Sequence, residues 1–314
     1  MNTTSIWKAI ALLILCAFFW GSTFPIGKDA LNEVSALTLV FWRFGIAAIC
    51  LGLYLKATRA KIPPLSGKQW LWATTVSAVG IGGLNLCLFT GLEYTQATNG
   101  SLIMALSPLV TSFIACVAIR ALPRKGQVFS LVVSLSGVLL VITDGQWDVL
   151  RNLNFNQGDQ MIFTGMFAWS AYTFFSQGIG RWMPVIPYTF LGMLSGATVI
   201  GVMCAMTPNV HPFGEVITAS PITVSELLYI GVLGTVAGYL LWLNGVRHLG
   251  SANAALFFNF VPVFAVLTAF LMGQAVSQIQ VLGIAIVVAG LLLPRLPHPG
   301  RWRLALSHAQ LKRH

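Results

Sequence analysis

The sequence predicts an all-α integral membrane protein of ten transmembrane helices, built as two inverted repeats of five helices each. Three observations lead to this fold class: an apolar composition, basic residues at alternate helix junctions, and internal similarity between the two halves. Of the 314 residues, 56% are hydrophobic and only 8% are charged, and the mean hydropathy is +0.80. A soluble core does not hide that much apolar side chain, so lipid is the expected solvent.

Long apolar runs recur along almost the whole chain. A helix needs about 20 mainly apolar residues to cross the hydrocarbon, whereas strands of a membrane barrel are short and alternate in polarity. The runs are long and apolar on all sides, which predicts helices. The predicted spans are 7–28, 34–54, 70–91, 97–118, 127–143, 160–178, 186–206, 223–244, 252–272 and 277–294.

Charge is distributed unevenly between the helix junctions. Basic residues collect after predicted helices 2, 4, 6, 8 and 10. All eight acidic residues lie in the intervening junctions or, for Glu226, in the first turn of predicted helix 8. These are Asp29, Glu33, Glu93, Asp144, Asp148, Asp159, Glu215 and Glu226. The positive-inside rule then places both termini in the cytoplasm of a bacterial-type inner membrane, which requires an even number of spans. The net charge of +10 is explained by this orientation, and no nucleic-acid partner is expected.

The two halves of the chain also resemble each other. At an offset of 154 residues the pairs are Gly91 with Gly245, Asn99 with Asn253, Leu102 with Leu256 and Pro108 with Pro262. At an offset of 149, Trp20 falls on Trp169 and Thr23 falls on Tyr172. Five helices is an odd number, so the second repeat enters the membrane from the opposite side. Many secondary transporters share this inverted arrangement, with the solute site between the repeats near the midplane.

Several stretches resemble the drug/metabolite transporter superfamily, in its branch with two EamA domains. They are the W-G-S-T-F run from Trp20 to Phe24, Arg43 in F-W-R-F, the stretch from Gly91 to Pro108, and its echo from Gly245 to Pro262. The resemblance implies a first EamA repeat over 9–143, a second over 159–294 and a basic cytoplasmic tail over 295–314. It also implies a carrier of amino acids, nucleosides, drugs or other metabolites. The second half lacks the W-G pair and has no counterpart of Arg43 in helix 7.

Arg43 is the only charged side chain well inside a predicted span. An unpaired charge in hydrocarbon costs at least about 2.5–3.5 kcal/mol on insertion scales, so Arg43 is expected to face the helix bundle or water. One interpretation is that it attracts an anionic group of the solute, such as a carboxylate. The other is that it snorkels to the outer surface or ties helix 2 to carbonyls of a neighbour.

Other side chains are candidates for the substrate path. Trp20 and Thr23 share one helical face, as do Trp169 and Tyr172, and all four either line a central cavity or simply pack. The amides Asn85 and Asn259, and Tyr239, which falls opposite Asn85 at the offset of 154, either contact solute or bond between helices. Pro108 and Pro262 each remove a backbone hydrogen bond within an apolar run. They are interpreted as gating points or as static bends.

Several sequence patterns that other classes of membrane protein require are missing from this chain. All five histidines lie at junctions or in the tail, and there is no nucleotide-binding phosphate loop, so an intramembrane hydrolase, a metal site, a cofactor and an ATP-driven pump are not expected. No carboxylate lies at mid-span, which leaves facilitated transport or weak coupling, with Glu93 near the outer face as the first coupling candidate.

The sequence therefore predicts a non-enzymatic, alternating-access carrier. Its expected partners are a small-molecule solute and membrane lipid, with the chain as a monomer or a homodimer. An exporter of amino-acid-like or amphipathic solutes is favoured, and the alternative is a flippase or accessory protein for lipid or lipid-linked sugar.

Overall fold

The structure is a computed structural model, and it describes residues 3–59, 64–92, 94, 95, 97–146, 148, 151 and 156–292. Within these residues all regular secondary structure is helical. The helices are α1 (Thr3–Ala30), α2 (Ala36–Thr58), α3 (67–92), α4 (97–119), α5 (Lys125–Thr143), α6 (Gln157–Ile179), α7 (Val185–Met206), α8 (Pro212–Thr218), α9 (Pro221–Leu249), α10 (Ser251–Leu271) and α11 (Gln278–Leu292).

Four of these helices change their winding along their length. In α3 and α9 a π-helical segment interrupts the α-helix, at Ala78–Gly83 and at Ile230–Ala237. In α4 the helix breaks between Ala97–Ala105 and Ser107–Ile119, and α10 contains the 3₁₀ segment Leu256–Asn259. Pro108 lies in the first turn of the restarted α4 helix, and Pro262 lies in the first turn of Phe260–Leu271. Each proline follows the break and lacks the N–H that would continue the preceding segment.

Eight helices of the described residues are long and apolar enough to cross a membrane. These are the helices from α1 to α5, α7, α9 and α10. The helix α6 is 23 residues long but more polar, because its inward face carries buried Asp159, Ser170, Thr173 and Ser176. The described part of α11 is 15 residues long and apolar. Burial inside the protein therefore accounts for the polar composition of α6.

Side-chain caps and glycines explain where helices start and how closely they pack. Ser35 begins α2 by accepting a hydrogen bond from the N–H of Thr38, and Asn156 and Asp159 form a capping box at the start of α6. Between α5 and α11, a β-carbon at Gly137 would lie 2.7 Å from the carbonyl oxygen of Gly283. Small residues at such contacts let membrane helices approach backbone to backbone.

The junctions between helices meet at two opposite ends of the bundle. At the end called here the acidic end, the α1–α2 junction contacts the segment between α7 and α9. The backbone N–H of Ser220 donates to Glu33 at 2.6 Å, and that of Ser35 donates to Glu215 at 2.6 Å. At the end called the basic end, Gln177 of α6 accepts hydrogen bonds from the backbone and hydroxyl of Ser251 at 2.9 and 3.0 Å. These contacts tie helices of the two halves together at both ends.

Candidate functional site

A cluster of aromatic rings fills the centre of the helix bundle. Trp20 of α1 is the hub, with ring centroids 5.6 Å from Trp169 of α6, 5.5 Å from Tyr239 and 5.2 Å from Trp242 of α9. Phe258 of α10 lies 5.9 Å away. These five residues are called the aromatic cluster below. Because four helices contribute rings to it, a change in their relative positions changes its shape.

Tyrosines extend this cluster toward α7. Trp169 stacks on Tyr172 with ring centroids 5.4 Å apart, and Tyr172 stacks on Tyr188 of α7 with ring centroids 6.1 Å apart. The hydroxyls of Tyr188 and Ser176 are 2.9 Å apart and share a hydrogen bond. Trp169, Tyr172 and Tyr188 are nearly fully buried, so this edge of the cluster is fixed by packing on every side.

Two indole nitrogens of the cluster lack hydrogen-bond partners. Nε1 of Trp20 and Nε1 of Trp242 are both buried and neither donates to any described group. Leaving a buried donor unpaired costs about 1–3 kcal/mol. A carbonyl or carboxylate oxygen of a ligand would accept from them, so these two nitrogens are unsatisfied polar groups within the aromatic cluster.

Arg43 lies beside the aromatic cluster. Its Nε donates to the hydroxyl of Thr235 at 3.2 Å, its guanidinium lies 5.3 Å from the centroid of the Phe44 ring, and it interacts electrostatically with Tyr239. Thr235 is fully buried in the π-helical segment of α9, where its hydroxyl donates in turn to the carbonyl of Ile230 at 2.8 Å. Among the described residues no carboxylate forms an ion pair with Arg43. The positive charge therefore lies inside the bundle, without a carboxylate partner among the described residues.

The structure brings some of the sequence-predicted residues together and separates others. Trp20, Trp169, Tyr172, Tyr239 and Arg43 form one connected site. The hydroxyl of Thr23 donates to the carbonyl of Trp20 at 2.7 Å. Its methyl group lies where a β-carbon of Gly234 would be. Thr23 therefore packs α1 against α9 at the edge of the site.

The two amides and the coupling candidate lie elsewhere. Asn85 is buried and donates to the carbonyl of Ile81 in its own helix at 2.8 Å. Asn259 donates to the hydroxyl of Ser134 in α5 at 2.8 Å, which is the interhelical role expected for a membrane amide. Glu93 and the tail over 295–314 lie outside the described residues.

Sequence reasoning missed three aromatic residues of the site, Trp242, Phe258 and Tyr188, and Thr235, the hydrogen-bond partner of Arg43. At the offset of 154, Trp242, Phe258 and Thr235 fall on the dissimilar residues Leu88, Met104 and Ile81, so the repeat did not mark them. For Trp242 a signal was present, since it is three residues after Tyr239 and so on the same face of α9. Thr235 carried no such signal, because its position depends on the π-helical segment.

A buried cationic and aromatic site between packed apolar helices is the arrangement of a multi-pass membrane protein that handles small molecules. The chain belongs to the EamA-like transporter family, whose profile matches residues 7–143 and 156–295. It is 31% identical to the "Uncharacterized transporter YyaM" of Bacillus subtilis (strain 168), over 90% of this chain and 91% of that protein. The protein is therefore a transporter of the drug/metabolite type.

Two further comparisons extend this result. The chain is 22% identical to the "Probable terminal-alkyne amino-acid exporter" of Streptantibioticus cattleyicolor, over 95% of this chain and 97% of that protein. A solved structure described as "Crystal structure of protein" superimposes with a TM-score of 0.75 at 16% identity, covering 92% of this chain and 99% of that chain. This likeness establishes the fold.

Proposed function

We propose that the protein exports amino-acid-like or amphipathic metabolites by alternating access. The observation that carries the proposal is the placement of Arg43, without a carboxylate partner among the described residues, beside buried aromatic rings. A solute carboxylate would pair with the guanidinium and accept from the free indole N–H groups of Trp20 and Trp242. Its apolar part would then contact the rings. The export activity named for the Streptantibioticus relative supports the same solute class.

The proposed topology has ten transmembrane helices. It adds α6 and α11 to the eight apolar spans, with repeats over 9–143 and 159–294 and a cytoplasmic tail over 295–314. Support for α6 comes from its length of 23 residues and its buried polar face. Both termini would face the cytoplasm of a bacterial inner membrane, because the basic end carries Arg120, Arg124, Arg181 and Arg247.

Matched contacts between the halves support the proposed inverted repeat. At the offsets of 154 and 149 residues, the contact of Gly91 with Ile162 corresponds to that of Gly245 with Leu13, and both pairs pack closely. The contact of Gly80 with Tyr172 corresponds to that of Gly234 with Thr23. The helix pairs follow the same rule: α1 packs on α9 and α10, as α6 packs on α3 and α4. A two-fold relation would bring the π-helical segments of α3 and α9 to equivalent places beside the site.

Alternating access requires that the two ends open in turn. The bonds of Glu33 and Glu215 hold the acidic end closed, and the bonds of Gln177 hold the basic end closed. Breaking one set while keeping the other would expose the aromatic cluster to one side. The helix breaks near Pro108 and Pro262 are the proposed bending points, and Glu93 is retained as a proposed coupling residue.

A single chain contains the whole proposed site, so a monomer is sufficient for function, and a homodimer would contain two sites.

The test is uptake into proteoliposomes that contain the purified protein. Amino acids, nucleosides and amphipathic drugs are screened with and without a proton gradient, and Arg43→Gln is compared with the control Arg59→Gln at the exposed end of α2. We expect saturable uptake of a carboxylate-bearing solute, reduced roughly tenfold or more in Arg43→Gln and unchanged in Arg59→Gln. Equal uptake by both variants would refute the role of Arg43. Movement of labelled lipid with no aqueous solute would replace this proposal with a flippase.

A further inference from the structure

A pocket of about 820 Å³ opens at the basic end of the bundle. The start of α3, the α4–α5 and α6–α7 junctions, and the α9–α10 junction all contribute to its walls. Its floor includes Gln177 and Ser251, the pair that ties α6 to α10. The pocket therefore lies at the level where the helices leave the membrane, apart from the aromatic cluster.

Two arginines from different halves of the chain converge on this pocket. Arg124 comes from the α4–α5 junction and Arg181 from the α6–α7 junction. The only ion pair among the described residues joins Asp148 to Arg151 elsewhere, so neither pocket arginine has a carboxylate partner there. The indoles of Trp72 and Trp182 complete the wall, and tryptophans of this kind favour the headgroup level of a bilayer. The pocket therefore suits an anion that lies in the headgroup layer.

A second space, a groove of about 430 Å³, adjoins the pocket and is lined by apolar side chains that are exposed on the outside of the bundle. It lies between α4 and α5, and the two spaces share the wall residues Cys116, Ala121, Leu122, Pro123 and Gln127. Leu109, Phe113 and Val117 form its floor on one face of α4, and they are 45%, 65% and 61% exposed. The groove is largely apolar, with Arg120 also in its lining. A groove of this kind that starts at a cationic pocket fits a molecule with an anionic head and a hydrocarbon chain.

We infer that this composite site binds an anionic phospholipid. The phosphate lies between Arg124 and Arg181, and an acyl chain follows the α4–α5 groove. The chain's own basic tail is disfavoured as the occupant, because Arg301, Arg303, Lys312 and Arg313 repeat the sign of the pocket charge. A small water-soluble anion is also disfavoured, because it would fill the pocket but leave the groove empty. The inference does not depend on which solute the protein transports.

Native mass spectrometry of the full-length protein in detergent tests the inference. The protein is titrated with phosphatidylglycerol and with phosphatidylcholine of the same acyl chains. We expect tighter binding of phosphatidylglycerol, weakened roughly tenfold or more in the double variant Arg124→Gln/Arg181→Gln. The matched control is Arg59→Gln/Arg247→Gln, which removes the same charge from residues that line neither space. It is expected to bind as the wild type does.

A second variant separates the groove from the charge. Cys116→Phe places a ring where pocket and groove join and leaves both arginines in place, so we expect it to weaken binding of the lipid but not of glycerophosphoglycerol, the same headgroup without chains. Three results would overturn the inference. They are equal affinity for the two lipids, equal loss in the control double variant, and binding of the chain-free headgroup as tightly as of the lipid.

Discussion

Gly238 of α9 lies directly against the indole of Trp20, so that a β-carbon at position 238 would overlap Nε1 and lie 2.9 Å from Cδ1. On the other side of this contact, the thiol of Cys16 donates to the carbonyl of Gly238 at 3.1 Å. The backbone of α9 is thus held against α1 at the hub of the aromatic cluster. Any side chain at position 238 must displace Trp20 or separate the two helices.

Gly238→Ala is therefore expected to destabilise the protein. Forcing a methyl group into a filled core typically costs about 1–3 kcal/mol, and Trp20 would move away from Trp169 and Tyr239. The thermal midpoint of the purified protein should fall, together with transport. Gly45→Ala in α2 is the matched control, since a β-carbon there meets nothing within 4 Å. A Gly238→Ala protein as stable and active as the control would show that α1 and α9 are not tightly coupled.

Removing the free indole donors is expected to weaken solute binding, and the thermal midpoint is measured alongside because Phe is smaller than the buried Trp that it replaces. Trp20→Phe and Trp242→Phe keep a ring in place but delete Nε1–H, which is unpaired within the described part of the protein. Each change is expected to raise the apparent KM roughly tenfold, the value of one hydrogen bond to a charged acceptor. Trp70→Phe, at an exposed position in α3, is the control. Unchanged KM in both cluster variants would mean that the nitrogens do not contact the solute.

A hydrogen bond between Asn259 and Ser134 joins α10 to α5 and is expected to stabilise the folded protein. Both side chains are buried, and the distance from Nδ2 to Oγ is 2.8 Å. Interhelical hydrogen bonds in membranes contribute about 0.6 kcal/mol on average. A double-mutant cycle with Asn259→Ala and Ser134→Ala should give a coupling energy of this size in unfolding measurements. Additive effects of the two substitutions would exclude a direct contribution from this bond.

The sequence was sufficient to locate the long helices, but not the short α8 (Pro212–Thr218) or the irregularities within the long ones. All ten intervals predicted to be apolar helices contain helix in the structure, because length and hydropathy are local properties. The π-helical segments Ala78–Gly83 and Ile230–Ala237 were not predicted. They occur where Gly80 and Gly234 contact the first helix of the other half. Such a contact between distant residues leaves no periodic pattern in the sequence.

The candidate site was predicted in part for a similar reason. Trp20, Trp169 and Tyr172 were found because the repeat placed them at matching positions, and Arg43 was found because a charge inside a span is rare. Thr235 is an ordinary residue by composition and becomes a partner of Arg43 only through the packing of α2 on α9. The pocket at the basic end was missed because Arg124 and Arg181, which line it, are far apart in sequence and belong to junctions that the charge rule already explained.

The bonds at the acidic end were also beyond sequence reasoning, since they join residues 187 and 180 positions apart. Each carboxylate accepts from the backbone of a serine that starts a helix in the other half. The hydrogen bond from Ser220 lowers the pKa of Glu33 below its ordinary value. For Glu215, desolvation by partial burial acts to raise the pKa, but hydrogen bonds from Ser35, Thr38 and His211 outweigh it, and the pKa is lowered.

A depressed carboxyl pKa makes these bonds dependent on pH. The unfolded chain takes up protons at Glu33 and Glu215 near pH 4.3, before the folded protein does, so the stabilisation is complete above about pH 4.3 and declines as pH falls below it. We expect the thermal midpoint of the wild type to be unaffected by these groups between pH 5 and 7. Below about pH 4 it should fall more steeply than that of Glu33→Gln/Glu215→Gln.

At neutral pH the double variant should itself be less stable than the wild type, because an amide accepts these bonds more weakly than a carboxylate. Asp148→Asn is the control, as this aspartate is 82% exposed and pairs only with Arg151 among the described residues. The same bonds are proposed to hold the acidic end closed. If they do, a cysteine introduced in place of Ser22, a buried residue of α1, should react faster with a thiol reagent in the double variant than in the control. Equal labelling rates, with equal pH profiles of the thermal midpoint, would show that Glu33 and Glu215 do not close this end.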